Sequence, residues 1–368
     1  MIYLDYNATA LMKPEVIGEM TRVMAIGGNP SSVHALGRGA RAILEQSRGT
    51  IAHVINCRPQ KIIFTGGGTE ANNIALRATD RDHIIIGATE HDSIGAIKTH
   101  FTGTVKTLPV DENGLISSED LTKALVDSPE KTLVSLMLAN NETGVVQDIK
   151  TLADISHRAG ALFHTDAIQA LGKIAVDFRD LGVDMMSFSA HKLSGPQGVG
   201  ALVALEKIDI QSINFGGGQE VGRRPGTENL AGIAGFAKAV ELVPENLIAM
   251  DYLRILRDRI EQEISAIAPE VIFYGAKADR LPNTTTILMP NVSSETQVMA
   301  FDLDGICVSS GSACSSGKVK PSHVVSAMGA QQDQALSTIR VSLGWKTTES
   351  DVDAFIAAWI KLYNRKRM

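Results

Sequence analysis

KIIFTGGGTEANNIALRA, residues 61–78, places a short apolar run before three glycines and a helix-like pattern. It reads as strand, tight glycine turn, helix. The same texture recurs along the chain. HIIIG (83–87) reads as a buried strand, and TLVSLML (132–138) as another, followed by a polar loop and a helix around 149–159. LFHTDA (162–167) and DMMSFSA (184–190) are two more strands, each ending in polar residues, and GVGALVAL (198–205) is a further one. Strands alternating with helices predict an α/β fold with a mostly parallel sheet. In such sheets ligands bind beyond the carboxyl ends of the strands, so chemistry is expected in the polar residues that follow each one.

The texture changes near residue 245. A long helical pattern over roughly 246–267 leads to VIFYG, NTTTILMP, a serine/glycine-rich loop, STIRVSLG and a C-terminal helix. The predicted division is a large domain over 12–250 and a smaller α+β domain built from 1–11 and 251–368. No internal repeat or low-complexity stretch is seen. At 368 residues the chain can bury a large core. A net charge of −6 leaves no basic surplus to neutralise phosphates, which argues against a nucleic-acid partner. MIYLDYNATA lacks the basic and apolar parts of a signal peptide, and no apolar run approaches the ~20 residues of a membrane span. The three cysteines, Cys57, Cys307 and Cys314, are too few and too oddly spaced for a disulfide framework or a zinc site. A cytoplasmic location, with reduced thiols, is the expectation.

GGGTEA (66–71) matches G-x-G-x-x-A, with Glu90 about twenty residues on, and so imitates a dinucleotide fingerprint. Its physical content is less specific: main-chain N–H groups at a helix start bind any phosphate. The expectation is a phosphate site at Gly67, Gly68 and Thr69; a ligand-free strand-to-helix turn would read the same. HTDAIQ places Asp166 at one strand end with Gln169 three residues on, and SFSAHKLSGPQG places Lys192 after another. An aspartate and a lysine at neighbouring strand ends suit pyridoxal phosphate. The lysine forms the Schiff base to the aldehyde, and the carboxylate keeps the pyridine nitrogen protonated. An isolated surface lysine would be the bland alternative; the flanking His191, Ser194 and Gly195 argue against it.

Ten motifs in order make the sequence resemble the cysteine desulfurases, the NifS/IscS-type group of the class V aminotransferase superfamily. They are YLDYNAT (3–9), GNPSSVHALGR (28–38), IIFTGGGTEANN (62–73), ATEHDS (88–93), NNETGV (140–145), FHTDAIQALGK (163–173), SFSAHKLSGPQGVGAL (187–202), GGGQEVGRRPGTEN (216–229), SSGSACSSG (309–317) and RVSLG (340–344). The resemblance implies the fold type I of pyridoxal-phosphate enzymes, similar to aspartate aminotransferase, with pyridoxal 5'-phosphate as cofactor. It implies that Lys192 is the Schiff-base lysine and general base, that Asp166 meets the pyridine nitrogen and Gln169 the phenolic oxygen, and that His91 stacks on the ring and shuttles protons as a catalytic residue. Taken alone, His91 reads as a capping or core histidine. Gly68, Thr69, Ser189 and His191 fall at phosphate-binding positions. Thr227 falls where the family reaches the phosphate of the neighbouring subunit, which implies a homodimer with shared active sites. Asn141 and Arg340 match the residues that hold the substrate carboxylate; Arg340 suits this through its planar fork.

Cys314 aligns with the catalytic cysteine. It sits among serines, glycines and an alanine, the composition of a mobile loop rather than of a buried thiol site. The implied activity removes sulfur from L-cysteine, leaving L-alanine and a persulfide on Cys314, which is passed to an acceptor such as an iron–sulfur scaffold or a thiolation pathway. Lys318 and Lys320 are candidates to favour the thiolate. The chain departs from the family pattern at Ala190, at Thr9-Ala10-Leu11 and at Asp92. The alternatives are a selenocysteine lyase or another class V aminotransferase, though the latter has no use for a nucleophile. From a different class, the alternative is a silent docking scaffold for sulfur carriers.

Overall fold

The computed structural model describes residues 1–126, 131–311 and 320–365. The chain opens with β1 (Ile2–Tyr3) and then builds seven strands of one sheet. These are β2 (Ile62–Thr65), β3 (His83–Gly87), β4 (Thr104–Leu108), β5 (Thr132–Met137), β6 (Leu162–Asp166), β7 (Met185–Ser189) and β8 (Gly200–Ala204). Their order across the sheet is β2-β8-β7-β6-β5-β3-β4. The run from β7 to β4 is parallel throughout, and β8 is antiparallel to both neighbours. The predicted mostly parallel sheet is therefore the one found.

Alternate residues of the same strands feed two cores. Ile62, Phe64, Ile85, Val134, Leu136, Phe163 and Phe188 face one side, and Ile63, Ile84, Ile86, Leu133, Met185 and Leu202 face the other. A sheet covered on both faces needs near-continuous apolar strands, which is why IIFT, HIIIG and TLVSLM carry so few polar residues. The edge strand β4 is half exposed and keeps only Val105 and Leu108 apolar, so the sequence reading passed over it.

The rest of the chain has its own core. Helices Val243–Ile267, Ser294–Leu303 and Glu349–Arg365 accompany a three-stranded antiparallel sheet made of β9 (Ile272–Phe273), β10 (Thr284–Leu288) and β12 (Thr338–Ser342). Leu256, Ile260, Ile287, Phe301, Ile339, Phe355 and Trp359 fill this core, and Leu4 joins them. Leu4 arrives there because β1 pairs in parallel with β11 (Ile306–Cys307). The N-terminal segment then crosses to the polar end of the large sheet.

Beneath that end, fully buried His164 on β6 bridges Ser135 of β5 and Ser187 of β7, with 2.8 Å on each side. Burial pushes its pKa down to about 3. The unfolded chain therefore binds a proton between roughly pH 6.5 and 3 that the native state refuses, and stability is lost as pH falls through that window. Between pH 6 and pH 5 the wild type should lose about 1 kcal/mol more than His164→Gln. Urea midpoints at the two pH values measure this; parallel midpoints for the two proteins would show that His164 is not a neutral buried group.

Candidate active site

Three strand ends and one glycine turn converge. Asp166 ends β6, Ser189 ends β7, and the loop 190–199 that carries His191 and Lys192 returns into β8. Across the sheet, β2 runs through Gly66 and Gly67 into helix Gly68–Arg77. Gly67 has φ +150, a left-handed-side conformation that other residues avoid. A side chain at Gly68 would meet Ile168 Cδ1 at 2.2 Å, and one at Gly200 would meet the main chain of Phe188 and Gly67. Glycine at these positions lets the turn sit flush on the sheet. The helix starts without a side-chain cap, so its first N–H groups remain for a ligand. Gly66, Gly67, Gly68, Thr69, Ser189, His191 and Thr9 line a cavity of about 540 Å³. Burial, then the charge of Lys192, pushes His191 down to about 4, so its ring is neutral there and hydrogen-bonds Thr9 Oγ1 at 3.2 Å.

Lys192 is held by two main-chain carbonyls, donating to Asn7 O at 2.7 Å and Ala8 O at 2.9 Å. Burial lowers its pKa to about 8, helped by the charge of Arg340 and opposed by Asp5 and Asp166. Free amine is thus accessible near neutral pH, which a condensation with an aldehyde requires. Asp166 is buried, and burial raises its pKa; N–H donors from Ile168 at 2.9 Å and Asn72 at 2.7 Å pull the other way, as do His91 and Lys192.

Arg340 is 3% exposed and gives Nη1 to Asn141 O at 2.9 Å and Nη2 to Asp5 at 2.7 Å. Its Nε and the side-chain Oδ1 of Asn141 are buried with no partner. A buried donor and a buried acceptor left open beside Lys192 are the mark of a ligand position, because such atoms are costly when unmet. Antiparallel main-chain bonds between Ser309 and Arg340 (2.7 and 3.1 Å) set the segment that precedes the Cys314 loop beside the strand that carries Arg340. The chain resumes with Ser322 bonded to Glu142 and His323 bonded to Glu90 O, next to His91. Cys314 and Lys318 themselves lie outside the described residues, and Lys320 is exposed.

His91 caps the short helix Asp92–Gly95, accepting from Ser93 N. It lines a second cavity of about 520 Å³ that shares Thr69 and Asn73 with the first. Thr227 is exposed and does not line the first cavity in its own chain. Its loop is pinned by a buried pair, Arg48 to Glu220 at 2.8 and 2.9 Å, with Phe64 N also donating to Glu220.

A family model described as aminotransferase class-V matches residues 2–355. The chain belongs to this family. Its similarity to the cysteine desulfurase group runs end to end. It is 42% identical to a cysteine desulfurase of Cereibacter sphaeroides, covering 96% of this chain and 94% of that one. It is 38% identical to the cysteine desulfurase IscS of Clostridium botulinum, covering 100% and 95%. The crystal structure of a NifS-like protein from Rickettsia africae superimposes with a TM-score of 0.92 at 37% identity, over 99% of both chains. The fold type I architecture expected from the motifs is thus the one present. The family is one of pyridoxal-phosphate enzymes.

Sequence reasoning missed the residue that joins these groups. Asn7, 1% exposed, receives Gln169 Nε2 (2.9 Å) and Lys192 on its main-chain oxygen, Lys173 on Oδ1 (2.8 Å), and gives Nδ2 to Thr284 (2.9 Å). Lys173 also donates to Gln169 Oε1. A main-chain carbonyl only accepts, so the amide nitrogen of Gln169 faces Asn7 O, which leaves the amide oxygen to Lys173. Both Asn7 and Lys173 stand inside quoted motifs, YLDYNAT and FHTDAIQALGK, but a buried lysine has no signature in composition.

Proposed function

We propose that the protein is a pyridoxal-phosphate-dependent cysteine desulfurase acting on L-cysteine, with Cys314 as sulfur acceptor. The observation that carries the reading is the Lys192 amine, pKa about 8, set near Asp166 and near the open Nε of Arg340. The orphaned polar atoms and the glycine cradle fit the cofactor and its substrate. Gly68, Thr69, Ser189 and His191 would hold the phosphate, joined by Thr227 of a second copy in a homodimer. Asp166 would hold the ring nitrogen protonated, Gln169 Nε2 would meet the phenolic oxygen, and His91 would lie against the ring. The bound cofactor supplies an aldehyde for amine condensation and an electron sink next to the substrate Cα.

The chain's own residues do the rest. Arg340 and Asn141 orient the substrate carboxylate. Lys192 moves the proton at Cα, where its position at the reacting carbon makes it the general base. Cys314 Sγ attacks the substrate sulfur: a sulfur–sulfur bond forms, the Cβ–sulfur bond breaks, and the three remaining carbons leave as alanine once Cβ is protonated. The persulfide then goes to an acceptor, of which an iron–sulfur scaffold is one. The separate cores support a cofactor domain over 12–250 and a small domain of 1–11 and 251–368. Among the described residues no helix is long and apolar enough to cross a membrane. A reducing cytoplasm fits the need for a free thiol at Cys314.

The test is incubation of the purified holoenzyme with isotopically labelled cysteine. The reading predicts labelled alanine, with one added sulfur on the peptide containing Cys314. A keto acid in place of alanine would point to an aminotransferase and overturn it.

A further inference from the structure

A line of hydrogen bonds runs from Asp166 to His91 through two residues the mechanism above does not use. Asn72 is fully buried, and its Nδ2 lies 2.7 Å from Asp166 Oδ2 and 2.9 Å from Ser93 Oγ. Ser93 Oγ lies 2.8 Å from His91 Nδ1, and the Ser93 main-chain N–H reaches the same ring nitrogen at 3.1 Å.

The direction of every bond is fixed by what each group can do. An ionised carboxylate only accepts, so the Asn72 atom facing Asp166 is the nitrogen; the flipped amide would set oxygen against oxygen. That nitrogen only donates, so Ser93 Oγ accepts from it. The single hydroxyl hydrogen of Ser93 is then left for His91 Nδ1. A ring nitrogen with two donors aimed at it carries no proton, so in the neutral ring the proton is on Nε2. Capping of the short helix Asp92–Gly95 explains the main-chain contact but not the hydroxyl.

We propose that Ser93 is a positioning residue for the desulfuration reaction: its hydroxyl, aimed by Asn72 and Asp166, holds His91 as the Nε2–H tautomer, so that Nε2 is the proton-bearing atom offered to the reacting groups. This rests on the reading that His91 lies against the cofactor. Ser93 adjoins Asp92, where the sequence departs from the family pattern.

The test uses holoenzyme labelled with nitrogen-15 in its histidine rings, with His91→Asn identifying the His91 resonances. In the wild type, Nδ1 should resonate as an unprotonated nitrogen and Nε2 as a protonated one. Ser93→Ala should mix the two tautomers and lower kcat roughly five- to tenfold, about the worth of one hydrogen bond, with KM within about twofold. Ser93→Thr keeps the hydroxyl and should restore both resonances and kcat. Wild-type resonances in Ser93→Ala would overturn the proposal, whether or not kcat falls. So would a threonine variant that behaves like alanine. Full turnover by His91→Ala would instead remove His91 from the site and overturn the reading beneath the proposal.

Discussion

Lys192→Ala is expected to lose covalent cofactor attachment and turnover together. The side chain at this position is an amine held between two carbonyls just beyond β7, and burial has already lowered its pKa to about 8. The proposed function gives it two roles, anchor and general base, so no neighbouring group should replace it. Lys173 is a neighbouring amine, but it is buried and committed to Gln169 and Asn7. The loss in kcat should be about a thousandfold or more, in the range that removal of a general base and covalent anchor brings. The fold should survive, because Asn7 O keeps its bond from Gln169 and the adjacent loop keeps the Ala10 N to His191 O bond at 2.9 Å. Absorption spectroscopy and an alanine assay on the same preparation measure both losses. Turnover at more than a few per cent of wild type would show that another group is the base.

The second large effect is expected at Cys314. Cys314→Ala should bind cofactor with a wild-type spectrum and still change that spectrum on addition of cysteine, because Lys192, Asp166 and Arg340 are untouched. It should release no sulfide and carry no persulfide. The reason is chemical: forming alanine leaves the Cβ–sulfur bonding pair on carbon, so the sulfur must be taken by a nucleophile, and a thiolate is the strongest the chain possesses. Of the other two cysteines, Cys57 is pushed up to about 11 by burial and packs half-buried against a core of the large sheet, and Cys307 lies within β11. Sulfide release by the variant at the wild-type rate, measured in the presence of a reducing thiol, would contradict the role of Cys314.

The legible parts of the fold were the strands buried on both faces, because covering helices force apolar runs such as HIIIG and TLVSLM. The polar ends of β6 and β7 were legible for the opposite reason: Asp166 and Lys192 have no place at a buried strand end unless they meet a ligand. The antiparallel direction of β8 was not read, although the ten residues 190–199 are too few for a helical crossover. What escaped were features defined by distant partners. The edge strand β4 has no apolar alternation to show. Asn7 gains its role only when the N-terminal segment crosses between two cores. Ser93 reads as an ordinary serine until Asn72, twenty-one residues earlier, is laid against it. Resemblance to a family named most of the proposed site residues, but it is silent on those that would act through another side chain.

The claim on which the rest depends is that the cofactor is bonded to Lys192. Borohydride reduction of the purified holoenzyme, followed by proteolysis and mass spectrometry, tests it directly. The account predicts a phosphopyridoxyl mass on the peptide containing Lys192, at that residue and in near-stoichiometric amount. The same mass on Lys173 or on any other lysine, or none on a protein that still makes alanine from cysteine, would contradict it.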